Sequence, residues 1–317
     1  MTPVRDPLSI AADLAALDAW RTAAPHNWAL LARGEPEPFF ATVVVDPPAP
    51  VRARLLLLRG WKTFNNFVIA RHDPSFGVAM SPMELDHFEL VELADRGVQL
   101  FAHRPGFVPV PPDAVESGLL GRLLYECYGL LMRFEEDETL ALRYAGERAM
   151  FARREGEDGK WADAPLPLPE RPPVFMEQVP LAKDLLARAG GLPFDGAAAL
   201  ELDLFLIPGC RTNEPRPRLL YLFAGVDATT GQRIVWDKLS VSGAPDGLLS
   251  LWEHLAGRLL AAFLALGRVP GTVNVRSNRM VRFIRPLGLN LPFKLVTHAQ
   301  LPALDAIVGQ AVKEKSL

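Results

Sequence analysis

Apolar residues recur at helical spacing near the start of the chain. Ile10, Leu14, Leu17 and Trp20 fall on one face of a helix expected over Pro7 to Ala24, with Ser9 placed to cap its first turn. The period then shortens. FFATVVV (39–45), RARLLLLRG (52–60) and FNNFVIAR (64–71) read as strands, and Asp46-Pro47-Pro48 breaks the first from the second. In SPMELDHFELVELADRG, Ser81-Pro82 offers a helix start, while His87 to Leu93 alternates as a strand does. VQLFAH (98–103) is a further strand.

FAHRPGFVPVPPD (101–113) carries four prolines and a glycine between two apolar segments. Pro105-Gly106 suits the centre of a type II turn, where glycine supplies the positive φ. Pro109, Pro111 and Pro112 hold their predecessors extended. The segment therefore leaves a strand, turns, and delivers Asp113 to a helix start, where Asp113 and Glu116 have the spacing of a capping box. The helix it opens has Leu119, Leu120, Leu123, Leu124, Cys127, Leu130, Leu131 and Phe134 on one side. RAMFARREGEDGKWADAPL then reads as a hairpin turning at Asp158-Gly159.

The proline-dense PLPLPERPPVFMEQVP (165–180) reads as a semi-rigid connector. It predicts two domains, 1–163 and 183–317, joined by a linker over 164–182. After a short helix (181–189), the second half shows strands at 199–207, 218–226 and 233–241, the last two flanking the turn signal DATTGQ. A long helix (246–266), apolar nearly all round, is followed by a strand (272–276), a helix (277–285), a strand (294–298) and a helix (301–314). The order β-β-β-α-β-α-β-α demands a mixed sheet with helices on its faces, because parallel neighbours need crossover connections. The fold class is therefore α+β in two domains.

Composition narrows the partners. The chain has 317 residues, 49% hydrophobic and 22% charged, enough for a sizeable core in each half. A net charge of −3 gives no global attraction to nucleic acid or an anionic membrane. The N-terminus lacks a basic region followed by an unbroken apolar core, and LLAAFLALG is too short to span a bilayer. A cytoplasmic location without membrane partners is expected. Two cysteines, Cys127 and Cys210, make no disulfide framework.

The strand order of the second half resembles the ribonuclease-H-like fold. Members that cut nucleic acid hold two divalent cations on carboxylates from the first strand, the first long helix, the end of the fourth strand and the last helix. Paired metals stabilise the attacking and leaving oxygens of a phosphodiester. The resemblance implies Asp203, Glu253 and Asp305 as such acids and Mg as the cation. At the end of the fourth strand, NVRSN sets Arg276 and Asn278 where an acid belongs. A second resemblance rests on RGVQLFAHRPGFVPVPPD before a long helix and RPRLLYLFAGVDATTGQRIVWDKL further on. Both are similar to a bacterial family of two-domain proteins with an RPG-aromatic-VP segment and a C-terminal domain of unknown function. That family brings no activity with it. Val110 follows Pro109 where its members would carry a tryptophan.

Candidate chemistry is sparse. The six histidines show no H-x-x-x-H or C-x-x-C spacing, and no Walker A loop, G-x-G-x-x-G or G-x-S-x-G occurs, so no metal or cofactor is expected from motifs. The GCRTN loop sets Cys210 beside Arg211, a cation that could lower a thiol pKa. His103 and Arg104 head the proline-rich segment and could hold a ligand anion. Between His254 and Leu304 there is no acid, and Arg276, Arg279, Arg282 and Arg285 recur every third residue, a candidate anion or nucleic-acid surface or a docking face. The expectation is a binding or interaction protein rather than an enzyme, its partner a protein or nucleic acid. The alternative is a decayed or active nuclease using Asp203 and Glu253 with the arginine row.

Overall fold

The computed structural model describes residues 6–17, 23, 26–45, 50–72, 85–170, 181–242 and 247–314. It is an α+β protein with two mixed sheets. Its two compact units are the described parts of Met1–Val68, Leu85–Arg104 and Pro109–Phe175, and of Ile69–Glu84, Pro105–Val108 and Met176–Leu317. Residues 171–180, the heart of the expected linker, and the Ser81-Pro82 helix start lie outside the described residues. Among the described residues no helix is long and apolar enough to cross a membrane.

The first unit opens with α1 (Pro7–Ala15). Asp6, not Ser9, caps it: its carboxylate accepts the Ser9 amide at 3.3 Å. Pro7 fills the first helical position, where a missing N–H costs nothing. α1 ends at Ala15, short of Leu17 and of the longer helix expected to Ala24; residues 18–22 and 24, Trp20 among them, lie outside the described residues. β1 (Asn27–Leu31), β2 (Phe39–Val45) and β3 (Val51–Arg59) follow.

FNNFVIAR, expected as a strand, is part of α2 (Gly60–His72). Gly60, at φ +74°, turns the chain out of β3. As a strand, the run would set Phe64 and Phe67 on opposite faces. As a helix, the three-residue spacing of Trp61, Phe64 and Phe67 gathers them on one side. Trp61 and Phe64 then meet the buried Phe40 at ring-centroid distances of 4.5 and 4.4 Å.

β4 (His87–Leu93) and β5 (Gly97–His103) form a hairpin with His87 opposite His103. α3 (Ala114–Glu136) starts from the expected capping box. Asp113 accepts the Val115 and Glu116 amides, both at 2.9 Å, while Glu116 accepts the Asp113 amide at 3.1 Å. β6 (Ala149–Glu155) and β7 (Trp161–Pro167) are the hairpin expected around Gly159, which has φ +75°. The sheet runs β5-β4-β3-β2-β1-β6-β7, and only the β1–β6 pair is parallel. One face carries Trp28, Phe39, Leu55, Leu57, Phe88 and Leu90, packed with the apolar side of α3 and with Ile10 and Leu14 of α1. The inward leucines of α3 are the ones its sequence period marks.

The second unit runs α4 (Lys183–Gly190), β8 (Phe194–Arg211), β9 (Leu219–Asp227), β10 (Arg233–Ser240), α5 (Gly247–Leu266), β11 (Val269–Val275), α6 (Asn278–Gly288), β12 (Lys294–Thr297) and α7 (Pro302–Lys313). The sheet order is β10-β9-β8-β11-β12. β8, β9 and β10 are antiparallel neighbours, and β11 is parallel to both β8 and β12. Leu222, Ala224 and Val226 pack under Leu301, Leu304, Ile307 and Val308, so α7 covers the face on which alternate β9 residues point. Since Glu201 pairs with Val226 and Asp203 with Ala224, both acids share that face. The long α5 packs against α4, α6 and β10, which accounts for its nearly all-round apolarity.

Pro105–Val108 counts with the second unit, where Phe107 bridges to Arg218. Gly106 has the positive φ expected of it (+81°), and a Cβ there would fall 2.2 Å from Val241 Cγ1.

Candidate functional site

The chemistry of the second unit gathers at the end of β11. Asp203, mid-β8, is 7% exposed. Its Oδ1 accepts the Leu204 amide at 2.9 Å, and its Oδ2 lies 3.0 Å from Arg276 Nε. That contact is a close ion pair and not a well-aligned hydrogen bond, since Nε finds no acceptor in line. The same guanidinium donates through Nη2 to Asp305 Oδ1. Asp305 Oδ2 accepts the Leu301 amide at 3.3 Å. Thus every oxygen of the two carboxylates already has a partner, and one cation joins them.

Burial raises the Asp203 carboxyl to about 6; the Leu204 amide and the Arg276 charge oppose that rise only in part, and Asp305 adds to it. Glu201, two residues earlier on the same face, accepts the Leu304 amide at 2.8 Å. α7 has no side-chain cap of its own, so Glu201 satisfies one of its orphan amides from β8.

The other expected residues lie apart from this cluster. Glu253 is exposed on α5, and the charged groups acting on Asp203 are Arg276 and Asp305. The arginine row does not act as one strip. Arg276 precedes α6 and is bound between the two acids. Arg279 stands over Trp252, its Cζ 3.8 Å from the ring centroid, with Phe283 stacked on Trp252 at 4.8 Å. Arg282 and Arg285 are exposed on α6. The Cys210 and His72 side chains fall outside the described residues.

In the first unit, His103 and Arg104 have different surroundings. Arg104 donates to Asp86 at 2.7 Å and to Glu116 at 2.5 Å, and stands 5.4 Å over Phe88. Both of its terminal nitrogens are engaged within the unit, tying the residue before β4 to the first turn of α3. Burial nonetheless raises the Asp86 carboxyl, against the lowering by Arg104 and Arg59.

His103 Nε2 sits 2.8 Å from Glu89 Oε2, and its ring stacks on His87 at 4.0 Å between centroids. His87 Nδ1 donates to the Leu85 carbonyl at 3.0 Å. Burial, reinforced by the nearby His103 charge, pushes His87 down to about 3, so it is a neutral imidazole. Burial would raise Glu89, but the hydrogen bond and charge of His103, together with the Arg54 charge, outweigh it and hold the carboxyl below its ordinary value. The ligating atoms of His87, Glu89 and His103 all lie within 4.8 Å of one another, with all three residues buried.

No motif spacing shows that trio, because a hairpin assembles it. His87 and His103 are equally far from the turn at Asp95; β5 reads as a strand in the sequence, while the β4 stretch reads as either a strand or a helix. Pairing them about that turn would have brought the histidines together. Elsewhere in this unit Cys127 is fully buried, and burial first, then the Glu126 charge, pushes its thiol well above the ordinary range. It is a core residue and not a nucleophile.

No curated protein and no solved structure matches the chain. Over residues 187–310, the stretch that holds Glu201, Asp203, Arg276 and Asp305, it matches a family described as a domain of unknown function, DUF6930.

Proposed function

We propose that the second unit is a ribonuclease-H-like domain whose carboxylate site has been closed by an arginine, and that the chain is a cytoplasmic binding protein and not a nuclease. The fold reading is supported by the sheet order, with the first strand central, an antiparallel meander through β9 and β10 on one side and the parallel β11 and β12 on the other. The observation that carries the functional reading is the Arg276 guanidinium between Asp203 and Asp305. A two-metal site needs free carboxylate lone pairs converging on cations. Here those oxygens are engaged, a fixed positive charge stands between the acids, and Glu253 is exposed elsewhere on α5. With Arg276 bound between the two carboxylates, the site does not fit Mg.

The partner we favour is a protein. Two of the four arginines that could have formed a phosphate-binding strip are occupied by Asp203, Asp305 and Trp252. The test is incubation of the full chain with single-stranded, duplex and hybrid nucleic acids in Mg²⁺ and in Mn²⁺. Cleavage no greater than that of Asp203→Asn is expected. Turnover that this substitution abolishes overturns the reading. Mobility-shift titrations over a range of salt address the partner class. Salt-dependent binding weakened by Arg282→Glu/Arg285→Glu would assign the partner to nucleic acid.

A further inference from the structure

The first unit carries a second cluster, independent of the proposal above. His87 and Glu89 point from one face of β4, and His103 joins them from β5, because directly paired residues of an antiparallel hairpin share a face. All three are buried, at 2%, 8% and 6% exposure. Two imidazoles and a carboxylate are the donors that late first-row divalent ions prefer over the all-oxygen sets of Mg and Ca.

The surroundings orient these donors as the outer contacts of metal sites do. The Leu85 carbonyl takes the Nδ1 proton of His87, which leaves Nε2 as its lone-pair nitrogen. Arg54 Nη1 lies 3.4 Å from Glu89 Oε1, so Oε2 is the oxygen turned to the histidines. The local hydrogen bonding is also incomplete. His103 Nδ1 is buried and finds no hydrogen-bond partner among the described residues. A buried polar nitrogen without a partner is costly in a purely structural cluster.

We infer that His87, Glu89 and His103 form a binding site for a single zinc-like divalent cation, with one nitrogen from each histidine and one carboxylate oxygen as ligands. The two rings are stacked within 17° of parallel, so taking an ion between them turns one ring about its Cβ–Cγ bond. Three protein ligands leave at least one coordination position for water or a small anion.

The test uses the full chain without a histidine tag, titrated with Co²⁺ and followed by visible ligand-field absorption, with Zn²⁺ in competition. One equivalent is expected to bind and to give a band that Zn²⁺ abolishes. Asp203→Asn should leave it unchanged, which separates this site from the second unit. His87→Ala and His103→Ala should each lose the band, and Glu89→Gln should weaken binding. No stoichiometric binding, or binding that survives both histidine substitutions, overturns the inference. If the alanine variants fail to fold, imidazole ¹⁵N resonances of the unsubstituted chain decide. Shifts at His87 and His103 on adding Zn²⁺ support the site, and unmoved resonances reject it.

Discussion

Arg276 Nε stands 3.0 Å from Asp203 Oδ2, and the same guanidinium reaches Asp305. One side chain at the end of β11 thus neutralises a buried carboxylate on β8 and tethers the first turn of α7. Removing it strands a charge that is expensive to leave alone in the interior.

Arg276→Met is therefore expected to destabilise the second unit by about 2 kcal/mol. Asp203→Asn/Arg276→Met should cost less than the sum of the single changes, because the second change removes the stranded charge. Hydrogen exchange of the β8 and β11 amides across the double-mutant cycle measures this. Additive effects would mean that the pair is not coupled.

The raised Asp203 carboxyl has a definite sign. Its ordinary value is 3.8 and its folded value about 6, so the folded state holds the proton more tightly than the unfolded state. The associated stability is fully present below pH 3.8 and is lost as pH rises to about 6. The contribution is on the order of 2–3 kcal/mol. Thermal melts of the parent and of Asp203→Asn between pH 4 and 7 should diverge with that slope; parallel curves would contradict it.

Asp113 ends the proline-rich segment and begins α3. Its carboxylate holds two of the helix's first amides. Asp113→Ala should cost about 1 kcal/mol, read as a lower urea midpoint, while Asp113→Asn should recover most of it.

Gly271 lies where β11 runs close to β8. A Cβ there would fall 2.4 Å from the Gly196 carbonyl oxygen, a backbone atom that cannot swing away. Gly271→Ala should cost on the order of 1–3 kcal/mol. The check is protection of the β8–β11 amides against exchange, which should fall while that of the first unit's sheet stays unchanged.

The parts legible in the sequence are those whose period is set by one neighbour. The α3 leucines, the β6–β7 turn and the element order of the second unit follow from such local signals. The α2 sequence reads as a strand because its short apolar run is rich in β-branched and aromatic residues. Its helical state depends on Phe40, which lies twenty residues before Gly60 in the chain. Asp6, not the expected Ser9, caps α1, and the Asp6-Pro7 pair carries that signal in the sequence. Asp203 and Asp305 are legible as acids of the first strand and the last helix, and Arg276 and Asn278 as the residues standing where an acid belongs. Their joining was not legible, because it depends on the end of β11 meeting mid-β8. The His87–Glu89–His103 trio needed the hairpin register, which only the pairing of β4 with β5 supplies.

The parallel joint between β1 and β6 has a bearing on synthesis. Ala29 pairs with Ala152, so the first sheet cannot close until the chain has been made beyond the whole of α3. β1 to β5 are successive antiparallel neighbours that can assemble as they emerge from the ribosome. Until then β1 is an open edge. The loop closure that seals it joins residues far apart in the chain, and non-local pairing of that kind is intrinsically slow and leaves an edge open meanwhile. A translational pause shortly after Glu155 has emerged would give that edge time to close.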